Sequence, residues 1–259
     1  MHPKVDHLLD GKVALAQPVA GYRVAIDPVL LAAAVDAAPG QRVVDLGCGV
    51  GAASLCLMQR VPDLAVVGID SDPDAVALAA SNAGRNGRAG FTAHRFDILT
   101  ELDALSALGP VDHLLTNPPF HDAAASDPSP DRARARATIG GFALVDWLAP
   151  ASRLLGPRGQ LTVICRADRL PNLLAALPRG FGGIAILPLW PHAGEPAKRV
   201  IVSAVKGSRA PASVTAGLVL HGPAGGFTDA ADAVLRHGAG LGDTVAGFWK
   251  RNPARAVAS

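Results

Sequence analysis

Arg42-Val43-Val44-Asp45-Leu46-Gly47-Cys48-Gly49-Val50-Gly51 is the stretch that decides the fold of this chain. Residues 42–46 form a short apolar run, entered from Pro39-Gly40, and the pattern predicts a buried strand. Three glycines follow at alternate positions, and a helix is expected from about Ala52. Glycine lets such a turn adopt unusual dihedrals and come close to a ligand. The start of the helix adds unpaired backbone N–H groups.

Working downstream, the same alternation recurs. A strand at Ala65–Ile69 ends on Asp70, and Ser71-Asp72-Pro73 opens a helix that runs to about Asn86. A third strand, Phe91–Phe96, ends on Asp97, and a short helix covers 101–108. A fourth, Val111–Leu115, runs into Asn117-Pro118-Pro119-Phe120, where two prolines stop the strand and stiffen its tip. Residues 121–137 are polar and aperiodic, which predicts a long loop. A helix over 139–155, interrupted near Pro150, turns at 156–159 into a strand at Gln160–Cys165. A helix at 168–177 and strands at 183–190 and 199–206 complete the pattern. Strands alternating with helices predict a parallel, doubly wound sheet. The Pro191–Lys198 link is too short for a crossover, so the last two strands must be antiparallel.

Upstream, residues 12–24 predict a strand or hairpin, and Asp27-Pro28 opens a helix with Asp as its expected N-cap. Downstream of the sheet lie one apolar run, Val214–Leu220, and a helix from Thr228 to about Arg236.

Composition narrows the class. The 259 residues suffice for a full core, and with 49% hydrophobic and 18% charged residues the chain is globular, not disordered. A net charge of +2 does not by itself announce a nucleic-acid binder. Cys48, Cys56 and Cys165 form no CxxC pair, which predicts a reduced, cytoplasmic protein without structural zinc. Residues 1–10 lack the apolar segment of a signal peptide. No run of 18 uncharged apolar residues exists, so no membrane span is expected, and no membrane partner is expected.

Asp45, Asp70 and Asp97 mark three successive strand ends. Asp45 can accept from an amino acid ammonium, Asp70 from two ribose hydroxyls, and Asp97 from an adenine amino group. S-adenosylmethionine carries all three groups and a sulfonium cation. The rival is a dinucleotide fingerprint, since Gly47, Gly49 and Ala52 fit G-x-G-x-x-A. Helix capping accounts for any one of the carboxylates, but the set of three favours the cationic donor.

Asn117-Pro118-Pro119-Phe120 suits a planar amine. The Asn117 side-chain oxygen and the Pro118 carbonyl can accept its two N–H bonds, and Phe120 can stack on its ring. Holding the nitrogen this way aims its lone pair at a methyl group, so catalysis is positioning plus electrostatics. His121 is a candidate for proton removal.

With these residues in view, Asp45–Gly51 resembles motif I of class I S-adenosylmethionine-dependent methyltransferases. Asn117–Phe120 resembles the N-P-P-[FY] motif of the amino-methylating branch, which includes N6-adenine, guanine-N2 and protein-glutamine enzymes. Across nearly its full length the chain is similar to bacterial tRNA(Val) adenine-N6 methyltransferases. The supporting stretches are Gly21–Arg23, Asp27–Leu31, Ala197–Val200, Lys206–Pro211, Leu218–His221 and Phe227-Thr228. The resemblance implies a seven-stranded, mostly parallel Rossmann-like sheet with one late antiparallel strand. The length favours one domain, with a core at 41–206 flanked by extensions at 1–40 and 207–259. The resemblance implies cofactor contacts from Asp45, Gly47, Cys48, Gly49, Gly51, Asp70, Ser71, Asp97, Ile98 and Asn117, and it brings Asp27 near the pocket. A tRNA substrate would need phosphate neutralisation. Arg132, Arg134, Arg136, Lys198 and Arg199 are the candidates, with Lys206, Arg209 and the basic tail at Lys250, Arg251 and Arg255 as further positive charge.

Overall fold

The structure is a computed structural model and describes residues 4–19, 24–119 and 144–248. Strands β1 (Lys4–Leu8) and β2 (Val13–Gln17) form an antiparallel hairpin. Then come α1 (Asp27–Ala34), β3 (Arg42–Leu46), α2 (Ala52–Arg60), β4 (Ala65–Asp70), α3 (Pro73–Arg85) and β5 (Phe91–Arg95). After α4 (Leu102–Ser106) and β6 (Val111–Thr116) the described chain resumes at α5 (Leu144–Leu154), which contains Pro150. Next are β7 (Leu155–Arg166), α6 (Leu170–Ala176), β8 (Phe181–Trp190) and β9 (Arg199–Lys206). Two short strands, β10 (Ser213–Val214) and β11 (Leu218–Val219), precede α7 (Asp229–Leu235) and α8 (Leu241–Thr244).

The main sheet runs β10-β8-β9-β7-β6-β3-β4-β5, and β11 also pairs with β8. All neighbours are parallel except β9, which is antiparallel to both β7 and β8. The expected seven strands and the one late antiparallel strand are therefore present. The two extra strands come from the 214–220 run, which the turn at Gly217 breaks into separate pairings with the outer edge of β8. The Gly217 φ of 80° suits glycine alone.

Alternation along each strand feeds two cores. Val43, Val66, Leu115, Ile164 and Ile201 face α1, α2, α3, α7 and α8. Val44, Ile69, Leu114, Val163 and Val202 face α4, α5 and α6. Side chains at odd and even positions point to opposite faces, so a sheet buried on both sides reads as an unbroken apolar run.

The hairpin is not held by apolar contact alone. Asn82 is fully buried on α3; its amide donates to the carbonyls of Ala16 and Val50, and its side-chain oxygen accepts from Ala16 N–H at 2.8 Å. Asn86, one turn on, repeats this with both backbone groups of Ala14. Two amides at i and i+4 thus imitate a neighbouring strand and satisfy β2's edge. Asn82 also ties that edge to the glycine-rich turn through Val50.

Three expectations change. Asp27 is not the N-cap of α1: Ile26 holds that position, and the Asp27 carboxylate pairs with Arg199 Nε at 2.6 Å. Residues 156–159 belong to the irregular first half of β7 instead of a separate turn, with Arg158 at φ 63°. Lys206 is engaged within the fold. It donates to the carbonyls of Ser152 and Leu155, capping the end of α5. Because β9 runs antiparallel, Lys206 and Arg209 lie at the end of the sheet opposite Asn117.

Candidate active site

The carboxyl ends of β3, β4 and β6 meet at one edge, where ligands bind in open α/β sheets. The glycine-rich turn after β3 is clamped by β4: the N–H groups of Gly47 and Cys48 donate to the Ile69 carbonyl at 2.8 and 2.9 Å. Asp70 continues the clamp. One oxygen accepts from Gly49 N–H at 2.8 Å and the other from Asp72 N–H at 3.0 Å. Gly51 has φ 85° and starts α2, a conformation costly for any residue with a Cβ.

Asp45 lies beneath this turn. It is 2% exposed and accepts from Ser54 Oγ at 2.7 Å. Burial pushes its carboxyl up to about 6, opposed by the Ser54 bonds and reinforced by the charge of Asp70. Asp70 is also raised, chiefly by burial. The turn therefore presents two carboxylates short of positive charge. One of the N–H groups that a pyrophosphate would use is already bound to Asp70. A cationic ligand fits this donor set and a dinucleotide phosphate does not. Asp70, with the backbone of Gly47 to Gly51, would hold S-adenosylmethionine here, and Asp45, 2% exposed beneath the turn, would act on it by its charge and not by contact.

Further along the edge, Asp97 is half-buried and accepts from Leu99 N–H at 2.9 Å, while Glu101 accepts from Asp97 N–H at 2.7 Å. Ser71 is exposed in the turn between β4 and α3. Cys48 and Ile98 are 7% and 4% exposed and pack in the two cores, so their side chains turn away from solvent and any ligand contact falls to their backbone.

The acceptor turn adjoins the donor turn. Leu46 lies opposite Thr116 in the β3–β6 register, which sets Gly47 opposite Asn117 at one strand spacing, about 4.8 Å in the hydrogen-bonding direction. Asn117 is half-buried, Pro118 buried and Pro119 partly exposed. Phe120, His121, Arg132, Arg134, Arg136 and the tail at Lys250, Arg251 and Arg255 lie outside the described residues, as do residues 21–23. Asp27 and Arg199 are brought together at the start of β9, at the same end of the sheet, and Lys198 beside them is exposed.

One pair of residues escaped the sequence. Thr116 Oγ–H donates to the Leu46 carbonyl at 2.6 Å, and Trp147 Nε1–H on α5 donates to Thr116 Oγ at 2.9 Å. The Trp147 ring presses on Gly47, where an added Cβ would stand 2.7 Å from it. This chain of contacts binds the tips of β3 and β6 to each other. The only local signal was a threonine directly before Asn-Pro-Pro; nothing in sequence links it to a tryptophan thirty-one residues away.

A glycine-rich turn flanked by carboxylates, set one strand from an Asn-Pro-Pro turn on this sheet topology, defines a class I S-adenosylmethionine-dependent methyltransferase. More particularly, the chain belongs to the methyltransferase small domain family, whose model matches residues 23–183. It is 30% identical over 190 residues to the tRNA1(Val) (adenine(37)-N6)-methyltransferase of Aeromonas hydrophila, covering 71% of this chain and 77% of that protein. A protein of the same name from Porphyromonas gingivalis is 34% identical over 157 residues, covering 58% and 61%. Among solved structures, a protein from Agrobacterium tumefaciens described as a predicted O-methyltransferase matches with a TM-score of 0.68 at 26% identity, over 82% of this chain and 96% of that one.

Proposed function

We propose that this protein methylates the exocyclic N6 of an adenine in tRNA, the adenine 3′ of the anticodon, using S-adenosylmethionine. The observation that carries the reading is the register of β3 and β6, which makes the Asn117 turn the neighbour of the acidic glycine turn. The relatives named for tRNA adenine-N6 methylation support the choice of acceptor.

The donor supplies an electrophilic methyl group on a sulfonium. Asp45 attracts its ammonium by charge from beneath the glycine turn, Asp70 meets its ribose and Asp97 its adenine amino group. Asn117 Oδ1 and the Pro118 carbonyl accept the two hydrogens of the target amine and localise its lone pair on nitrogen. Phe120 stacks on the base. Once methylated, the nitrogen is strongly acidic, so its proton passes to water or to His121 without a dedicated base. The acidic edge and the Trp147 contact keep donor and acceptor in fixed relation, an entropic contribution to the rate.

The Agrobacterium structure favours a second reading, an oxygen acceptor. A hydroxyl has one hydrogen and needs a base, whereas the Asn-Pro carbonyl pair matches a group with two. A guanine-N2 or glutamine-amide acceptor also has two and is separated by experiment. No helix among the described residues is long and apolar enough to cross a membrane, and a tRNA substrate implies a cytoplasmic site of action.

The test is incubation with labelled S-adenosylmethionine and unmodified tRNA, followed by digestion to nucleosides. N6-methyladenosine is expected; label in another nucleoside, or none with donor binding intact, refutes the reading. Asn117→Ala should abolish turnover and leave S-adenosylhomocysteine affinity unchanged.

A further inference from the structure

A second group of planar side chains lies at the same end of the sheet as Asn117, toward its far edge. His192 follows β8 and His221 follows β11, and both strands run parallel to β6. The rings of His192 and His221 are 5.4 Å apart at 38°. His221 stacks on Phe227 at 5.3 Å and 21°, and the Arg236 guanidinium carbon stands 5.9 Å from the Phe227 centroid. Four planar groups from four segments form one row.

The middle of the row is half-buried, with Phe227 packed against the core, and its two ends are exposed. His192 is exposed in the 191–198 loop and ends the row open to solvent, and Arg236 is exposed at the other end. Local structure holds its middle: His221 pairs with Phe227 in an isolated antiparallel bridge, and the His221 ring lies 3.3 Å from the Gly226 carbonyl. Asp232 lies 3.1 Å from Arg236 and 3.3 Å from His237, which fixes the guanidinium near the ring. Lys198 is exposed at the end of the same loop, where Glu195 is the one acidic side chain.

An exposed ring backed by a rigid stack, with Lys198 on the same loop, is an arrangement that takes an unpaired base, because every base has a face to stack and a phosphate beside it. An apolar protein partner would ask for a dry, contiguous hydrophobic patch instead. Two strands, β7 and β9, separate β6 from β8, and β8 runs on to Trp190 past Leu187, the residue level with Asn117, so the row is roughly 20 Å from the Asn117 turn at about 4.8 Å per strand sideways and about 3.3 Å per residue along β8. Adjacent nucleotides cannot span that distance, whereas a base a few nucleotides along the same RNA loop can. We propose that His192, backed by the stack of His221, Phe227 and Arg236, forms a platform for an unpaired base of the same RNA loop, a few nucleotides from the base delivered to Asn117. This inference rests on the RNA reading above.

The experiment compares the wild type with His192→Ala and His192→Tyr, measuring kcat and KM for a tRNA transcript and affinity for S-adenosylhomocysteine. His192 is far from the donor turn, so donor affinity and kcat should not change. His192→Ala should raise the tRNA KM about tenfold, and His192→Tyr, which restores a plane without the imidazole, should return it to the wild-type value. Of a set of stem-loops carrying 2-aminopurine at each of the other loop positions in turn, one with the probe a few nucleotides from the target adenine should lose fluorescence on binding wild type and keep it on binding His192→Ala. An unchanged KM in His192→Ala overturns the platform and leaves the row as a clasp for the 221–227 turn or a protein contact. A His192→Tyr variant as weak as His192→Ala overturns stacking as the cause. Failure of the RNA reading looks different: the wild type itself then methylates no tRNA, and the platform falls with it.

Discussion

Replacing Asp45 with asparagine should make this protein more stable and less able to bind its donor. In the folded chain the Asp45 carboxyl lies at about 6, against 3.8 for the free group. Between these values the native state holds a proton that the unfolded state has released, so stability falls as pH rises through the window, and above about pH 6 the whole penalty is present. The interval corresponds to about 3 kcal/mol at about 1.4 kcal/mol per pH unit. The Asp45→Asn substitution removes the charge and still offers an oxygen to Ser54 Oγ–H. It gives up part of the Ser54 bonding, which costs about 1 kcal/mol. The net gain at pH 7.5 is then about 2 kcal/mol, or roughly 5 °C in thermal midpoint for a chain of this size. Thermal and urea melts at pH 7.5 and 4 measure it. The gain should be present at pH 7.5 and absent or reversed at pH 4, where Asp45 is largely protonated in the native state. In parallel, calorimetry with S-adenosylhomocysteine should show affinity lower by about tenfold, the value of a carboxylate that attracts the ammonium from beneath the turn without contact. An Asp45→Asn protein equally destabilised at both pH values would refute the burial argument. Unchanged donor affinity would remove Asp45 from the ammonium site.

Two further substitutions probe the supports of the site. Trp147→Phe keeps a ring against Gly47 but loses the bond to Thr116, so kcat should fall about tenfold with little change in donor affinity; an unaltered kcat would show that the tie between the tips of β3 and β6 has no catalytic effect. Asn82→Ala leaves the buried backbone groups of Ala16 and the Val50 carbonyl without their amide partner, and urea melts should report a loss of about 2–4 kcal/mol; a loss under 1 kcal/mol would mean that water or a relaxed backbone replaces the amide.

Much of the sheet was legible because its strands are short, apolar and punctuated. Arg42–Leu46, Ala65–Asp70 and Val111–Thr116 differ from expectation by at most one residue. The antiparallel last pair followed from loop length alone. What escaped were contacts between distant segments. Asp27 looked like a helix cap because capping is a local rule, yet Arg199 is near only after the sheet is assembled. Lys206 looked like a surface charge until the direction of β9 turned it to the far end. Asn82 and Asn86 at i and i+4 in an alanine-rich helix were a readable sign of a buried polar face, since helix spacing puts both on one side.

By itself the sequence determined the alternation of strands and helices, the glycine turn after β3 and the Asn-Pro-Pro turn after β6, because these depend on backbone dihedrals and on side-chain period. Only the tertiary structure decided that β3 and β6 are neighbours, that Trp147 closes the gap between their tips, and that His192, His221, Phe227 and Arg236 form one row. Strand order is set by which apolar faces bury best against which helices, a balance summed over the whole core that no single stretch of residues carries.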